Sequence, residues 1–277
     1  MDLSQLIFLA IVQGVTEFLP ISSSGHLILA PKLLDMGDQG VLIDIALHLG
    51  SLGAVVIYFW RDVRAVVFGP FQLVADLSRG QPMRWGSKLT LLLAIATLPL
   101  VIAGLSLSVL DDATNGEAIA GLRTIEVIGW TTLLYGIALW IADRFSPTDQ
   151  KIENWSWSGA VLIGLSQALA LVPGTSRSGV TMTAARFLGF ERTEAARIAL
   201  LMAVPAILAA SAKLFLDLME MDNVQMTQDA AIAALFSFIS AYIALALMMR
   251  MLRTISFTPF VIYRLGLGAA LLWIAYA

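Results

Sequence analysis

The chain has 277 residues, of which 58% are hydrophobic and only 13% are charged. In a soluble domain about a quarter of the residues are charged. This composition therefore indicates a polytopic membrane protein with almost no soluble part. The net charge of −3 argues against a nucleic acid partner, and the absence of cysteine excludes disulfides and thiolate metal sites. We interpret residues 1–277 as a single integral-membrane domain.

Six apolar segments are long enough to cross a membrane as helices, which requires about 20 residues each. They are residues 41–60, 88–110, 125–142, 194–218, 230–249 and 257–276. Two other apolar stretches are interrupted, residues 3–19 by Pro20 and residues 157–172 by Pro173, and each resumes after a run of small polar residues. Irregular backbone at membrane depth needs surrounding protein or a water-filled cavity. The predicted fold is therefore all-α, with six transmembrane helices and two re-entrant helix hairpins.

The loops alternate in charge along the chain. One set is basic and contains Arg61, Arg64, Arg79, Arg84, Lys88, Arg144, Lys151, Arg250 and Arg253. The other set is acidic, with Arg123 as its one basic residue, and contains Asp35, Asp38, Asp111, Asp112, Glu117, Glu220, Asp222 and Asp229. By the positive-inside rule the basic loops are cytoplasmic. A first break that forms a full span, with the N-terminus inside, would not contradict these loop charges, so the choice of a hairpin depends on the break and on the repeat described next. With two hairpins, the first enters from the outside and the second from the cytoplasm.

The two interruptions resemble each other. FLPISSSG, ending at Gly25, corresponds to LVPGTSRSG, ending at Gly179. Each half of the chain, about 1–142 and about 155–277, then holds one hairpin and three spans. Because three is odd, the halves form an inverted-topology repeat, which places a site near the membrane midplane where the broken helices meet.

Polar side chains cluster at the first break. Gln13 and Glu17 are four residues apart on one helix face, and a carboxylate at membrane depth is expensive unless it is paired or faces a cavity. Glu17 either joins helices, performs acid–base chemistry or holds a divalent cation. Beyond Pro20, one serine can cap the next helix. The spacing of Ser23 and His26 would let the imidazole accept the hydroxyl proton.

The second break, PGTSRSG, places Thr175, Ser176, Arg177 and Ser178 where a helix begins. Backbone N–H groups at a helix start attract anions, and arginine adds a fork suited to phosphate oxygens. The alternative is a capped turn with a snorkelling arginine. Taken together, the two breaks supply a carboxylate, an imidazole, hydroxyls and an anion site, which indicates phosphoryl transfer.

Other polar residues are interpreted as structural. Asp44 and His48 are four residues apart near the outer end of the second element. They could form an interfacial pair or support the site residues from behind, and the structural role is favoured. Glu126, Asp217 and Arg264 are predicted to be interfacial because they lie near span ends, and Lys213 is predicted to snorkel.

The stretches QGVTEFLPISSSGHLIL and LVPGTSRSGVTM resemble the two signature motifs of the undecaprenyl-diphosphate phosphatase family, also called the bacitracin-resistance protein family. Its (E/Q)xxxE motif matches Gln13 and Glu17, its serine–histidine motif matches residues 20–26, and its PGxSRSG motif matches residues 173–179. ALHLGSLGAVVIYFWRDV and ARIALLMAVPAIL also fit, so the resemblance covers most of the chain.

The resemblance implies a bacterial plasma-membrane enzyme that converts undecaprenyl diphosphate to undecaprenyl phosphate, recycling the carrier for peptidoglycan synthesis and lowering sensitivity to bacitracin. It implies a divalent cation, Mg²⁺ or Ca²⁺, and an active site open to the periplasm. The catalytic residues carry over as Glu17, Ser23, His26 and Arg177, with Glu17 also as the metal ligand. The predicted substrate-binding residues are Gln13, Ser22, Ser24, Gly25, Gly174, Thr175, Ser176 and Ser178.

The sequence leaves open whether Ser23, His26 or an activated water attacks the phosphorus. The alternative function is a lipid-carrier flippase or secondary transporter, because inverted repeats with broken helices are typical of transporters. Glu17 and His26 would then relay protons. The expected partners are a polyprenyl diphosphate lipid and membrane lipids, and a homodimer is left open.

Overall fold

The computed structural model describes residues 2–33, 40–219 and 224–277, which are almost entirely helical. In these ranges the only β-structure is an isolated bridge between Gln150 and Phe190. The α-helices are α1 (Leu3–Phe18), α2 (Ser23–Leu33), α3 (Gly40–Tyr58), α4 (Trp60–Ser78), α5 (Trp85–Ala113), α6 (Glu117–Leu122), α7 (Ile125–Phe145), α8 (Trp157–Ala168), α9 (Arg177–Phe187), α10 (Arg192–Met219), α11 (Val224–Met251) and α12 (Thr258–Tyr276). Short 3₁₀ turns occupy Ile152–Asn154 and Leu169–Leu171.

Five helices in the described ranges are long and apolar enough to span a membrane, namely α5, α7, α10, α11 and α12. The predicted span 41–60 corresponds to α3, whose stretch Leu42–Tyr58 qualifies as a span only together with α4, from which it is bent by 93°. The all-α polytopic architecture is therefore confirmed. The sixth span, the re-entrant course of the hairpins and the inverted repeat stay predictions.

Residues 61–78, interpreted from their arginines as part of a loop, belong instead to the helix α4. Apolar side chains recur there at helical spacing, and Val67, Phe71 and Val74 share an exposed face. Asp62 and Asp76 are buried on the other side. The charge pattern hid an amphipathic helix because its apolar residues do not form an uninterrupted run.

Both predicted helix–break–helix elements are present. The first break lies between α1 and α2, and the second between the 3₁₀ turn Leu169–Leu171 and α9. The first break is held within the bundle by the packing of its neighbours. The helix α1, which precedes this break, and α3 both pack closely against α11. A Cβ at Gly14 would lie 2.0 Å from Ser240 Oγ, and one at Gly50 would lie 2.1 Å from Ala234 O. These glycines allow the backbones to approach.

Buried ion pairs join the basic ends of the helices. Arg186 is fully buried and, with Arg192, donates to Asp143, while Arg197 donates to Asp62 at 2.6 Å. Four acidic residues of the predicted outer loops lie outside the described residues, namely Asp35, Asp38, Glu220 and Asp222. The side chains of Asp217, predicted to be interfacial, and of Lys213, predicted to snorkel, also lie outside the described part of the structure. Glu126 lies in the first turn of α7, at a span end as predicted.

Candidate functional site

The two breaks share one local geometry. Ser22 and Ser176 each have a positive φ, of 74° and 69°, directly before the second helix of their hairpin. Each hydroxyl accepts a hydrogen bond from the glycine N–H three residues later, at 3.4 and 3.0 Å. Each also lies within 3.3 Å of the serine hydroxyl two residues later. Ser23 and Arg177 therefore occupy equivalent positions, at the start of α2 and of α9.

Glu17 lies between these two positions and binds both. Arg177 Nη2 donates to Glu17 Oε1 at 2.6 Å, and Ser23 Oγ donates to Oε2 at 2.6 Å. Gln13 Nε2 also donates to Oε2, at 2.9 Å, as their four-residue spacing predicts. The carboxylate is only 6% exposed. Three of the four predicted catalytic residues are thus joined in one hydrogen-bonded group.

Further contacts hold the two breaks against each other. Ser178 Oγ donates to the carbonyl of Leu19 at 3.0 Å, and Arg177 Nη1 donates to the carbonyl of Ala203 at 3.2 Å. Only part of the Arg177 fork is used by Glu17 and Ala203, because a guanidinium has five N–H donors. The remaining donors can bind an anion.

Arg264 connects both breaks from α12. It was predicted to be interfacial, but its side chain is fully buried. Nη1 donates to the carbonyl of Pro20 at 3.1 Å, and Nη2 donates to the carbonyls of Gly174 and Thr175 at 3.0 and 3.1 Å. Nε donates to the carbonyl of Thr132 at 3.0 Å. Backbone carbonyls at the two breaks accept no helical hydrogen bond. Arg264 donates hydrogen bonds to such carbonyls in both breaks.

The space for this arginine is made by two glycines. A Cβ at Gly136 would lie 3.0 Å from Arg264 Cβ, and a Cβ at Gly179 would lie 2.9 Å from Arg264 Nη1. The sequence contained a signal for this residue, since an arginine in an apolar span is expensive and by default points to function. Arg264 lies seven residues after the start of the predicted span 257–276. This position near a span end led to the wrong prediction that the arginine is interfacial.

Gly174 is expected to tolerate no side chain, because it has a φ of 86° and a Cβ there would lie 2.2 Å from Thr131 Oγ1. Gly174→Ala should lower the free energy of unfolding by about 1–2 kcal/mol for the left-handed backbone and by about 1–3 kcal/mol for the clash. Gly116→Ala is a matched control, since Gly116 has a φ of 90° and no atom within 4 Å of the Cβ position. Thermal unfolding in detergent measures both. Equal losses in the two variants would contradict a close contact at Gly174.

A cavity of about 300 Å³ opens beside Glu17, Ser23 and Arg177. Its remaining lining residues are Ser24, Asp44, Ile45, His48, Leu100, Ala170, Ser176, Ala206, Ile207 and Ala210. The wall therefore combines one arginine and several hydroxyls with an apolar side. This combination suits an amphiphile with an anionic headgroup.

Asp44 and His48 line this cavity, although a structural role was favoured for them from the sequence. His48 Nδ1 does donate to the Asp44 carbonyl at 2.7 Å, and Nε2 lies 3.7 Å from Glu17 Oε2. Their four-residue spacing, next to a buried carboxylate at the same depth, was the signal that could have placed them in the site.

His26 does not line this cavity. Its Nδ1 donates to the Ser22 carbonyl at 2.7 Å, and its Nε2 lies 2.6 Å from the Tyr263 hydroxyl, against which the ring is stacked. No hydrogen bond joins His26 to Ser23 among the described residues, and the serine proton points to Glu17 instead. A general-base role for His26 stays a prediction that no contact here supports.

Most of the predicted phosphate-binding residues shape the breaks and do not line the cavity. Ser24 and Ser176 line it, whereas six others do not: Gln13, Ser22, Gly25, Gly174, Thr175 and Ser178. Within the described part of the chain, the buried Oγ1 of Thr175 and Oε1 of Gln13 have no hydrogen-bond partner. Buried polar atoms of this kind are usually satisfied by ordered water.

The side chains around the cavity supply only part of the ligands that a divalent cation needs. No group of three or more His, Cys, Asp or Glu side chains suited to a metal occurs among the described residues. Glu17 already accepts from Arg177, Ser23 and Gln13. Mg²⁺ is commonly held by one or two carboxylates together with substrate phosphates. The two carboxylates of the cavity wall, Glu17 and Asp44, are of the ligand type that such a shared cation takes.

Comparison with known proteins identifies similar chains along the whole length. The family model described as Bacitracin resistance protein BacA matches residues 6–270. A protein of Jannaschia sp. (strain CCS1) named undecaprenyl-diphosphatase is 51% identical over 277 residues, covering 100% of both chains. One of Ruegeria pomeroyi with the same name is 50% identical over 280 residues, again covering 100% of both. Undecaprenyl-diphosphatase 1 of Rhodospirillum rubrum is 45% identical, covering 100% of this chain and 96% of its own.

Proposed function

The chain belongs to the bacitracin resistance protein BacA family, and we propose that it is an undecaprenyl-diphosphatase of a bacterial plasma membrane. The reaction removes the terminal phosphate of undecaprenyl diphosphate, giving undecaprenyl phosphate and inorganic phosphate. The lipid product re-enters peptidoglycan synthesis. Loss of the diphosphate lipid lowers the amount of target that is available to bacitracin. The observation that carries this proposal is the binding of Ser23 and Arg177 to one buried carboxylate beside a cavity.

The cavity accounts for recognition of a lipid headgroup. Its arginine and the backbone N–H groups at the start of α9 favour phosphate oxygens. Its apolar wall, which includes Leu100 and Ile207, faces the first part of an isoprenoid chain. A volume of about 300 Å³ holds a diphosphate but not a polyprenyl chain, so the rest of the lipid lies outside it.

Ser23 is the best-placed nucleophile. Its hydroxyl proton already points to Glu17 Oε2 at 2.6 Å, which leaves the oxygen lone pairs available to phosphorus. In the proposed step Ser23 Oγ bonds to the terminal phosphorus and the anhydride P–O bond breaks. The electron pair goes to the lipid phosphate, and the serine proton goes to Glu17. Water then attacks the phosphoserine, releasing inorganic phosphate and restoring the hydroxyl.

Arg177 stabilises the negative charge on the transferring phosphoryl group, since positioning and electrostatics dominate such catalysis. A divalent cation, Mg²⁺ or Ca²⁺, held by Glu17 and Asp44 together with the substrate, would offset further phosphate charge. The direct attack of water is the alternative to Ser23, and Glu17 would accept the proton in that case as well.

The cavity is proposed to open to the periplasm. Lys88 Nζ donates to the Glu153 carbonyl, and Arg197 binds Asp62, so the basic ends of several elements meet at one end of the bundle. Ala210 lines the cavity about 20 Å further along α10 from Arg197. With the basic end in the cytoplasm, the cavity lies toward the other face.

Phosphate release by the purified protein in detergent tests this proposal. We expect release from undecaprenyl diphosphate, and we expect Arg177→Lys to lower kcat/KM by about tenfold or more because lysine lacks the bidentate fork. Arg253→Lys, at an exposed arginine that does not line the cavity, should match the wild type. Binding of the lipid without release would support the flippase alternative, because no gradient exists in detergent.

A further inference from the structure

The amphipathic helix α4 presents a large apolar face that no other described element covers. Phe71, Val74 and Leu77 are 74%, 68% and 69% exposed, and Trp60 is 58% exposed. The helix is nonetheless held closely against α5, since a Cβ at Gly69 would lie 2.0 Å from Thr90 Oγ1. A fixed helix that lies across the direction of α3 and exposes aromatic side chains is typical of an element in the membrane interface.

A second cavity, of about 460 Å³, lies along this helix. Its charged lining residues are all arginines, Arg61, Arg64 and Arg84, and it is completed by Ala65, Phe68, Phe71 and Gln72. The Arg64 guanidinium lies over the Phe68 ring, 5.9 Å from its centroid. This cavity shares no lining residue with the one at Glu17.

The carboxylates of α4 do not neutralise this cavity fully. Asp62 binds Arg197 on the opposite side, and Asp76 accepts from Arg84 Nε at 2.7 Å and from Ser87. Arg61 and Arg64 make no salt bridge to any carboxylate in the described ranges. Two exposed guanidinium groups therefore remain available at the cavity, beside an arginine that is already paired.

We infer that this cavity binds the headgroup of an anionic phospholipid. Arginine forks match the oxygens of a phosphodiester. The phenyl rings of Phe68 and Phe71 form part of the same wall, and the Phe71 ring continues onto the exposed apolar face. A free phosphate would use only the arginines, whereas a lipid uses the arginines and the apolar face together. Basic clusters beside membrane-spanning helices are known to attract anionic lipids.

Such binding would fix the angle between α3 and α4. The cavity lining begins at Arg61, directly after the 93° bend, and the first half of α3 carries the Asp44 and His48 of the other cavity. A bound lipid therefore attaches the bend to one leaflet of the membrane, at the basic end of the bundle.

Lipid titration of the intact protein in a neutral detergent tests this inference, with native mass spectrometry as the readout. We expect phosphatidylglycerol to bind on the order of tenfold more tightly than phosphatidylcholine, and an Arg61→Gln/Arg64→Gln variant to lose that preference. An Arg79→Gln/Arg253→Gln variant removes two exposed arginines outside the cavity and should keep it.

Three outcomes would overturn the inference. These are equal affinity for the two lipids, an unchanged preference in the Arg61→Gln/Arg64→Gln variant, and full displacement of the lipid by millimolar inorganic phosphate. The last result would identify a phosphate site with no role for the apolar face. Thermal unfolding of both variants should match the wild type, because neither pair of arginines takes part in a salt bridge among the described residues.

Discussion

Replacement of Arg264 by methionine is expected to lower phosphate release by about 100-fold, because a displacement of about 1 Å between reacting groups can cost that much. Arg264 donates to Pro20 in one break and to Gly174 and Thr175 in the other. Without it, buried carbonyls lose their donor and the two breaks lose their common attachment. The free energy of unfolding should fall by about 3–5 kcal/mol, since each unsatisfied buried group costs about 1–3 kcal/mol.

Two further variants separate charge from geometry. Arg264→Lys keeps the cation but replaces a planar fork with a single ammonium group, which cannot reach carbonyls of both breaks. We expect it to recover part of the stability and little of the activity. Gly136→Ala keeps Arg264 but places the new alanine Cβ 3.0 Å from Arg264 Cβ. This variant should therefore lower activity by displacing the arginine side chain.

Thermal unfolding and steady-state phosphate release in detergent measure these effects. If Arg264→Met unfolds normally and keeps its activity, the arginine does not position the breaks. If it loses stability but keeps kcat/KM in the folded fraction, its role is limited to stability.

The sequence predicted those features that depend on local patterns. Uninterrupted apolar runs identified five spans, and Pro20 and Pro173 marked the two breaks, because proline cannot donate to a helical ladder. The four-residue spacing of Gln13 and Glu17 placed them on one helix face, where their side chains are hydrogen-bonded. These predictions succeed because they need only neighbours along the chain.

Features that depend on packing between distant elements were missed. The partners of Arg264 lie in α7 and in both breaks, so its place inside an apolar span could indicate a function but could not identify those partners. The helical spacing of Ser23 and His26 predicted an interaction, yet Glu17 accepts the serine proton and Tyr263 approaches the histidine. Ser22, directly before α2, has a left-handed φ. This backbone conformation sets the direction of α2, and the spacing of Ser23 and His26 does not reveal it.

Ser23→Ala is expected to lower phosphate release by about 1,000-fold or more if Ser23 is the nucleophile, as the loss of a residue that forms a covalent intermediate does in other enzymes. Ser106→Ala, on α5, is a matched control because that hydroxyl donates only to the Ile102 carbonyl. Rapid acid quenching of a slow variant with labelled substrate should place label on Ser23. Near-normal turnover by Ser23→Ala would instead support direct attack by water.

The coupling between Ser23 and Glu17 provides a stricter test of the same mechanism. Because Glu17 Oε2 lies 2.6 Å from Ser23 Oγ and accepts its proton, removal of either residue disables the same step. Glu17→Gln should therefore cost about as much as Ser23→Ala, and the double variant should cost little more than either, as in other catalytic groups that act as a unit. Additive losses would mean that the two residues serve separate steps. In that case Glu17 would act mainly through Arg177, whose ion pair with it is also lost in the Gln variant.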